Sequence, residues 1–231
     1  MKTIRISLSA VVLFAYFVFG MIDRCYSQTS KEGFMTEKTG DFYSQGEYVQ
    51  GLKEGPWVTY FPSGLLSKHE YYRGGKLDGI IISIDNRGNI TSMETYQGGK
   101  LDGISKSYAR NGDLNWEKEY SNGLLDGKSK IYYEDGKIQE EGIYHLGLRD
   151  SVNNWYSSAG TLLAAYHYRL GKLDGTSRFY YENGNLKKEQ NYINDTQSGA
   201  YSDYYEDGAI HFTGIYEAGL KEGKWLEFNT T

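Results

Sequence analysis

The sequence predicts an all-β fold, an elongated single-layer antiparallel meander of stacked 24-residue β-hairpin repeats, preceded by an N-terminal hydrophobic leader helix. Three observations predict it. First, Tyr48, Tyr72, Tyr96, Tyr120, Tyr144, Tyr168, Tyr192 and Tyr216 are each 24 residues apart with no insertion. Second, 29 Gly and 23 Tyr against only 2 Pro point to turns and half-buried strands, not to a disordered chain. Third, Asx-Gly pairs recur between runs of strand-forming residues, as at Asn111-Gly112, Asp135-Gly136, Asn183-Gly184 and Asp207-Gly208.

Residues 1–27 form the first element. Lys2 and Arg5 lead into an apolar run from Ile6 to Ile22, the pattern of a signal peptide, and Cys25-Tyr26-Ser27 suits cleavage after Ser27. The alternatives are acylation of Cys25, or retention of the run as an uncleaved membrane anchor. Cleavage would remove the single Cys with Lys2, Arg5, Arg24 and Asp23, leaving 22 basic against 29 acidic residues, a net charge of −7. Without disulfides, an exported chain relies on packing and sheet hydrogen bonds alone. Residues 28–46 read as a linker or partial leading repeat, and residues 47–229 as eight repeats.

Further columns share the 24-residue period. One runs from Gly55 through Gly79, Gly103 and Gly127 to Gly175, Gly199 and Gly223, and only Ser151 departs from it. Another is aliphatic, including Leu66, Ile90, Leu114 and Ile138, and another is mostly aromatic, including Tyr60, Tyr108, Tyr132 and Phe228. In the clearest copy, Ser129–Glu134 is one strand, Asp135-Gly136 a turn with two positive-φ residues, and Lys137–Tyr144 the second strand. Gly74-Gly75-Lys76-Leu77-Asp78-Gly79 exemplifies the turn between hairpins. Leu66 and Tyr72 are an even number of residues apart, so both project to one face. A lone hairpin is marginal, so stability comes from stacking, and sixteen strands about 4.8 Å apart give a ribbon ~75 Å long. Trp57 and Trp225, at equivalent positions in the first and last copies, are expected to cap its ends. Leu148-Arg149-Asp150-Ser151 and Asp195-Thr196-Gln197-Ser198-Gly199 depart from the Lys-Leu-Asp-Gly form and predict less regular turns.

Tyr120, Gly123, Gly127, Tyr132, Tyr133 and Gly136 give these copies a pattern that resembles the bacterial MORN-repeat-variant family, over about residues 47–229. The resemblance implies a binding or scaffolding repeat. Some proteins with such repeats carry a YwqK-like antitoxin label, which makes an antitoxin-like binding protein one alternative. The related eukaryotic repeats are associated with membrane tethering, but Lys76, Lys100 and Lys172 are each followed two residues later by Asp78, Asp102 or Asp174, so the local charges cancel.

The residues offer no catalytic constellation, so the chain reads as not an enzyme and as needing no cofactor. His69, His145, His167 and His211 are not spaced to bring three ligands to one metal. The acids Glu54, Asp78, Asp102, Asp126, Asp150, Asp174 and Glu222 recur about 10 Å apart, too far to share a cation, and read as turn acceptors for backbone amides. No basic stripe is present, which argues against a nucleic-acid partner. What remains is an aromatic surface opposite the Tyr60 column, formed by Trp57, Phe61, Tyr133, Tyr181, Tyr205 and Trp225, as the candidate interaction site. The leading expectation is an exported protein-binding scaffold in the bacterial envelope, in the periplasm, on the outer surface or secreted, with membrane contact only through residues 1–27. The alternative is a glycan or cell-wall binding module, with polysaccharide as partner.

Overall fold

The computed structural model describes residues 31–229; the leader, its predicted helix and Cys25 lie outside the described residues. Among the described residues are twenty strands: β1 (Gly33–Thr39), β2 (Phe42–Val49), β3 (Leu52–Tyr60), β4 (Leu66–Arg73), β5 (Lys76–Leu77), β6 (Gly79–Ile84), β7 (Ile90–Gln97), β8 (Lys100–Leu101), β9 (Gly103–Tyr108) and β10 (Leu114–Ser121), followed by β11 (Leu124–Tyr132), β12 (Ile138–His145), β13 (Leu148–Tyr156), β14 (Leu162–Arg169), β15 (Lys172–Leu173), β16 (Gly175–Tyr180), β17 (Leu186–Ile193), β18 (Thr196–Tyr204), β19 (Ile210–Glu217) and β20 (Leu220–Glu227). Successive strands pair antiparallel from β1–β2 to β19–β20 in one open sheet. The two-residue strands β5, β8 and β15 are each split from the next strand by one Asp, so the ribbon is seventeen strands wide. These breaks fall in the Lys-Leu-Asp-Gly copies. The departing segments 148–151 and 195–199 lead into unbroken strands β13 and β18, and Ser151 and Asp195 take positive φ (55° and 69°) at columns held elsewhere by Gly.

The two turn types are the reverse of the sequence expectation. At Asp135-Gly136 only Gly136 has positive φ (80°), and the loop closes through Gly136 N donating to Tyr133 O and Tyr133 N donating to Lys137 O. Two positive-φ residues occur instead at the inter-hairpin turns, as at Gly74-Gly75 (54° and 76°), Asn122-Gly123 (50° and 88°) and Leu170-Gly171 (50° and 81°), the geometry whose twist matches flanking strands. Each of these turns rests on the previous copy, because Gly75, Gly99, Gly123, Gly147 and Gly171 donate their amides to the carbonyls of Lys53, Leu77, Leu101, Leu125 and Arg149. Ser151 takes a φ of 55° where its counterparts are Gly at the strand bulges.

Burial concentrates in one row crossing the sheet, because a single-layer sheet covers a side chain only with its strand neighbours. The row passes through Gly46, Trp57, Glu70, Ile81, Ser105, Ser129, Gly142, Asn153, Ser177 and Gln190, all buried. Size alternates along it. A Cβ on Gly46 would overlap the Trp57 indole, one on Gly142 would overlap Asn153, and one on Gly214 would overlap Trp225. The Tyr48 column lies two residues along on the same face and pairs in register with Lys53, Leu77, Leu101, Leu125, Arg149, Leu173, Gln197 and Lys221.

Trp57 does not cap an end. The hairpin β1–β2, closed by the two-residue loop Gly40-Asp41 where later hairpins use five residues, lies outside it, and Trp57 is 0% exposed. The expected boundary at residue 47 therefore falls inside β2, because residues 33–46 already continue the ladder.

Candidate binding surface

The six sequence-predicted aromatics do not form one exposed face. Trp57 is buried against Tyr48 (centroids 5.1 Å apart, 84°) and Tyr72 (6.3 Å, 76°), donates its indole N–H to Glu47 O (3.1 Å) and carries Lys53 Nζ 3.9 Å over its ring. It is core, not surface. Phe61 packs on Phe42 at 5.5 Å. Tyr133, Tyr181 and Tyr205 are half-buried and donate their phenol hydroxyls to the carbonyls of Tyr156, Tyr204 and Phe228, at 2.7, 2.7 and 2.9 Å. Trp225, in the last strand, is half-buried among Tyr201, Phe212 and Tyr216.

A cation accompanies the large rings. Lys53 covers Trp57, Lys221 lies 4.4 Å over Trp225, and Arg149 lies 5.1 Å over Trp155 and 5.8 Å over both Tyr144 and Tyr168. Four positions on from Lys53 and Lys221 stand Trp57 and Trp225, and from Leu77, Leu101, Leu125 and Leu173 stand Ile81, Ser105, Ser129 and Ser177, whereas Arg149 has Asn153 there and reaches Trp155 instead. Arg149 also donates to Glu140 at 2.6 Å, and its guanidinium pKa is raised although burial opposes the charge, with the Glu140 hydrogen bond the largest raising cause.

Toward the C-terminal end lies a cleft of about 550 Å³, lined by Leu163, Phe179, Tyr181, Lys187, Lys188, Tyr201, Asp203 and His211 among others. Its two lysines come from the bulge of β17, a register shift that recurs in the other hairpins. Phe179 pairs with Lys188 and Tyr180 with Leu186, leaving Lys187 without a register partner, so two consecutive lysines line one recess. Lys188 Nζ lies 4.2 Å over Phe179 and Lys187 Nζ 5.3 Å over Tyr181. Burial, and then the neighbouring Lys187 charge, pushes the Lys188 pKa down. On the far wall His211 Nδ1 is 3.1 Å from Asp203 Oδ1 and its ring is 4.4 Å from Tyr205. Burial and the Asp203 charge push the Tyr201 phenol up to about 12.

Of the predicted residues, Tyr181 lines this cleft, while Tyr205 and Trp225 adjoin it through His211 and Tyr201. Trp57, Phe61 and Tyr133 do not line it. Sequence reasoning missed Lys187 and Lys188, although a Lys-Lys pair at a column held elsewhere by Ser67-Lys68 or Gln139-Glu140 was the available signal. It also missed a recess of about 260 Å³ on the opposite face, lined by Ile80, Met93, Thr95, Ile104, Lys106 and Tyr108, with Ile80 52% and Ile104 47% exposed.

Some of the recurrent acids hold turns, while Asp78, Asp126 and Asp174 lie against Arg73, His145 and Arg169. Glu54 accepts from Gly74 N (2.7 Å) and Asp102 from Asn122 N (3.0 Å), each tying one copy to the next. Among the described residues no group of three or more His, Cys, Asp or Glu is placed to hold a metal. The large cleft offers cations, ring edges and a His–Asp pair, and its lining includes no Ser, Thr or Cys nucleophile.

No curated protein matches the chain. A family described as MORN repeat variant matches residues 125–145 and 173–194. These segments begin 48 residues apart, two periods of the Tyr column, and each contains a complete Asx-Gly loop with the strand that follows. The chain thus carries MORN-variant repeats over these two segments.

Proposed function

We propose that the chain is a non-catalytic repeat scaffold that is exported and binds a protein partner in the bacterial envelope. The observation that carries the binding role is the C-terminal cleft of about 550 Å³, in which a strand bulge presents two lysines beside Phe179, Tyr181 and Tyr201. The repeat identity supports a binding protein, and the Lys2–Ser27 sequence pattern supports export. The glycan reading loses support at this cleft, because sugar stacking needs bare ring faces and the faces of Tyr181 and Phe179 are covered by Lys187 and Lys188.

Affinity isolation of the full chain from cell-envelope fractions, with the mature N-terminus determined on the same material, tests the proposal. A stoichiometric protein partner and a chain starting at Gln28 are expected. A chain starting at Met1 in the soluble cell interior, or no partner under several extraction conditions, contradicts it.

A further inference from the structure

Some basic residues of this sheet sit beside acids. Lys68 pairs with Glu70 (2.7 Å), Lys106 with Glu117 (2.7 Å), Arg169 with Asp174 (2.7 Å) and Arg178 with Glu189 (2.6 Å). Among the described residues, Lys187 and Lys188 have no carboxylate within ion-pair distance. Asp203, the register partner of Lys188, lies against His211 instead. Lys188 keeps its ammonium half-buried over Phe179, and burial, then the Lys187 charge, loosens its proton more than the Asp203 charge holds it. In a chain of net charge −5 two adjacent lysines in one recess are a local concentration of positive charge, and no general attraction for anions surrounds it.

We propose that this cleft receives an acidic segment of a partner protein, with carboxylates bridging Lys187 and Lys188 and a neighbouring aromatic or aliphatic side chain packing on Tyr201 and Leu163. This deepens the scaffold reading and rests on it. A peptide fits better than a sugar, because the ammonium groups shield the ring faces and leave charge, not flat π surface, as the first contact. The recess is also large enough for two or three side chains. An acid entering it completes ion pairs that the fold leaves open, in a setting where partial burial strengthens them.

The test is fluorescence anisotropy of the full mature chain with a labelled peptide of alternating Glu and Tyr, its Gln-for-Glu counterpart, and a labelled oligogalacturonate. Saturable binding of the Glu peptide is expected, weakened at least tenfold by higher salt, by the Gln counterpart and by Lys187→Gln/Lys188→Gln. Lys128→Gln/Lys130→Gln, a charge-matched change in a different recess, should leave binding unaltered. Unchanged circular dichroism and melting of the first variant certify its fold. Equal binding by that variant, equal binding of the Gln peptide, or lysine-dependent binding of oligogalacturonate without the Glu peptide overturns the proposal. If the envelope partner still co-purifies with Lys187→Gln/Lys188→Gln, the acidic-segment proposal falls and the scaffold stands. If the peptide binds as described but no envelope partner is found, the scaffold reading falls and the cleft assignment stands.

Discussion

The Tyr133 hydroxyl donates a 2.7 Å hydrogen bond to the carbonyl of Tyr156, 23 residues further along, and Tyr181 does the same to Tyr204. At the opposite margin, amides of the positive-φ turns donate to carbonyls of the preceding copy. Both sets of bonds join one hairpin to the next, which is how a sheet without a second layer acquires cooperativity.

Tyr133→Phe and Tyr181→Phe should each cost about 1 kcal/mol, the net worth of one hydrogen bond, with the exposed end of the range set by water replacing the donor. The sites are in separate copies, so the double variant should lose close to the sum. Denaturant titration measures this. A double variant as stable as the parent would show that the hydroxyls do not couple the copies.

Ser151 and Leu170 adopt φ of 55° and 50°, where Cβ crowds the backbone. Gly stands at the Ser151 column in the other copies, and Asn122 and Asn194 at the Leu170 column. Ser151→Gly and Leu170→Asn should each stabilise by about 0.5–1 kcal/mol, with the flexibility of Gly in the unfolded chain holding the first toward the lower value. A lower denaturation midpoint for both would refute the strain argument.

Arg149 lies among Tyr144, Trp155 and Tyr168 and pairs with Glu140, whose side chain is only 16% exposed. Arg149→Leu installs the residue of the regular column but leaves that carboxylate unpaired, and should cost about 2–4 kcal/mol. Arg149→Leu/Glu140→Gln should recover at least half of the loss. A double-mutant cycle with no coupling would mean that stacking on the rings, not the ion pair, is what holds Arg149.

Alkaline pH should unfold the protein. Burial pushes the phenols of Tyr72, Tyr156 and Tyr201 up to about 12, with Glu70, Glu141 and Asp203 adding to the shift. In the unfolded chain a phenol releases its proton near pH 10. Below that value both states keep the proton and stability is unaffected. Between about 10 and 12 the unfolded state ionises first, so stability falls as pH rises. Melting temperature followed from pH 8 to 11.5, with phenolate absorbance at each step, reads this directly. A melting temperature constant through pH 11 would contradict the buried-phenol assignment.

Much of the architecture was legible in the sequence because the columns report it: the Tyr48 column, the Gly55 column and the Leu66 column fix period and strand alternation. Which turn carried two positive-φ residues was not legible, since Gly-Gly, Asn-Gly and Leu-Gly share one site and tertiary stacking forces the same geometry on all three. The fate of Trp57 was also hidden. Alternation puts it on a face but does not say that Gly46 opposite makes room for its indole, and a Trp at a repeated position reads equally as surface or core. The cleft was missed for a related reason, because alternation alone puts Lys187 and Lys188 on opposite faces and only the bulge, which recurs in the other hairpins, lets both line one recess.

Small-angle X-ray scattering on residues 28–231 tests most directly whether the hairpins stack into one open ribbon. Seventeen strands about 4.8 Å apart predict a maximum dimension near 80 Å and a radius of gyration above roughly 22 Å. A compact particle with a radius of gyration near 16 Å, the value for a globular domain of about 200 residues, would contradict it.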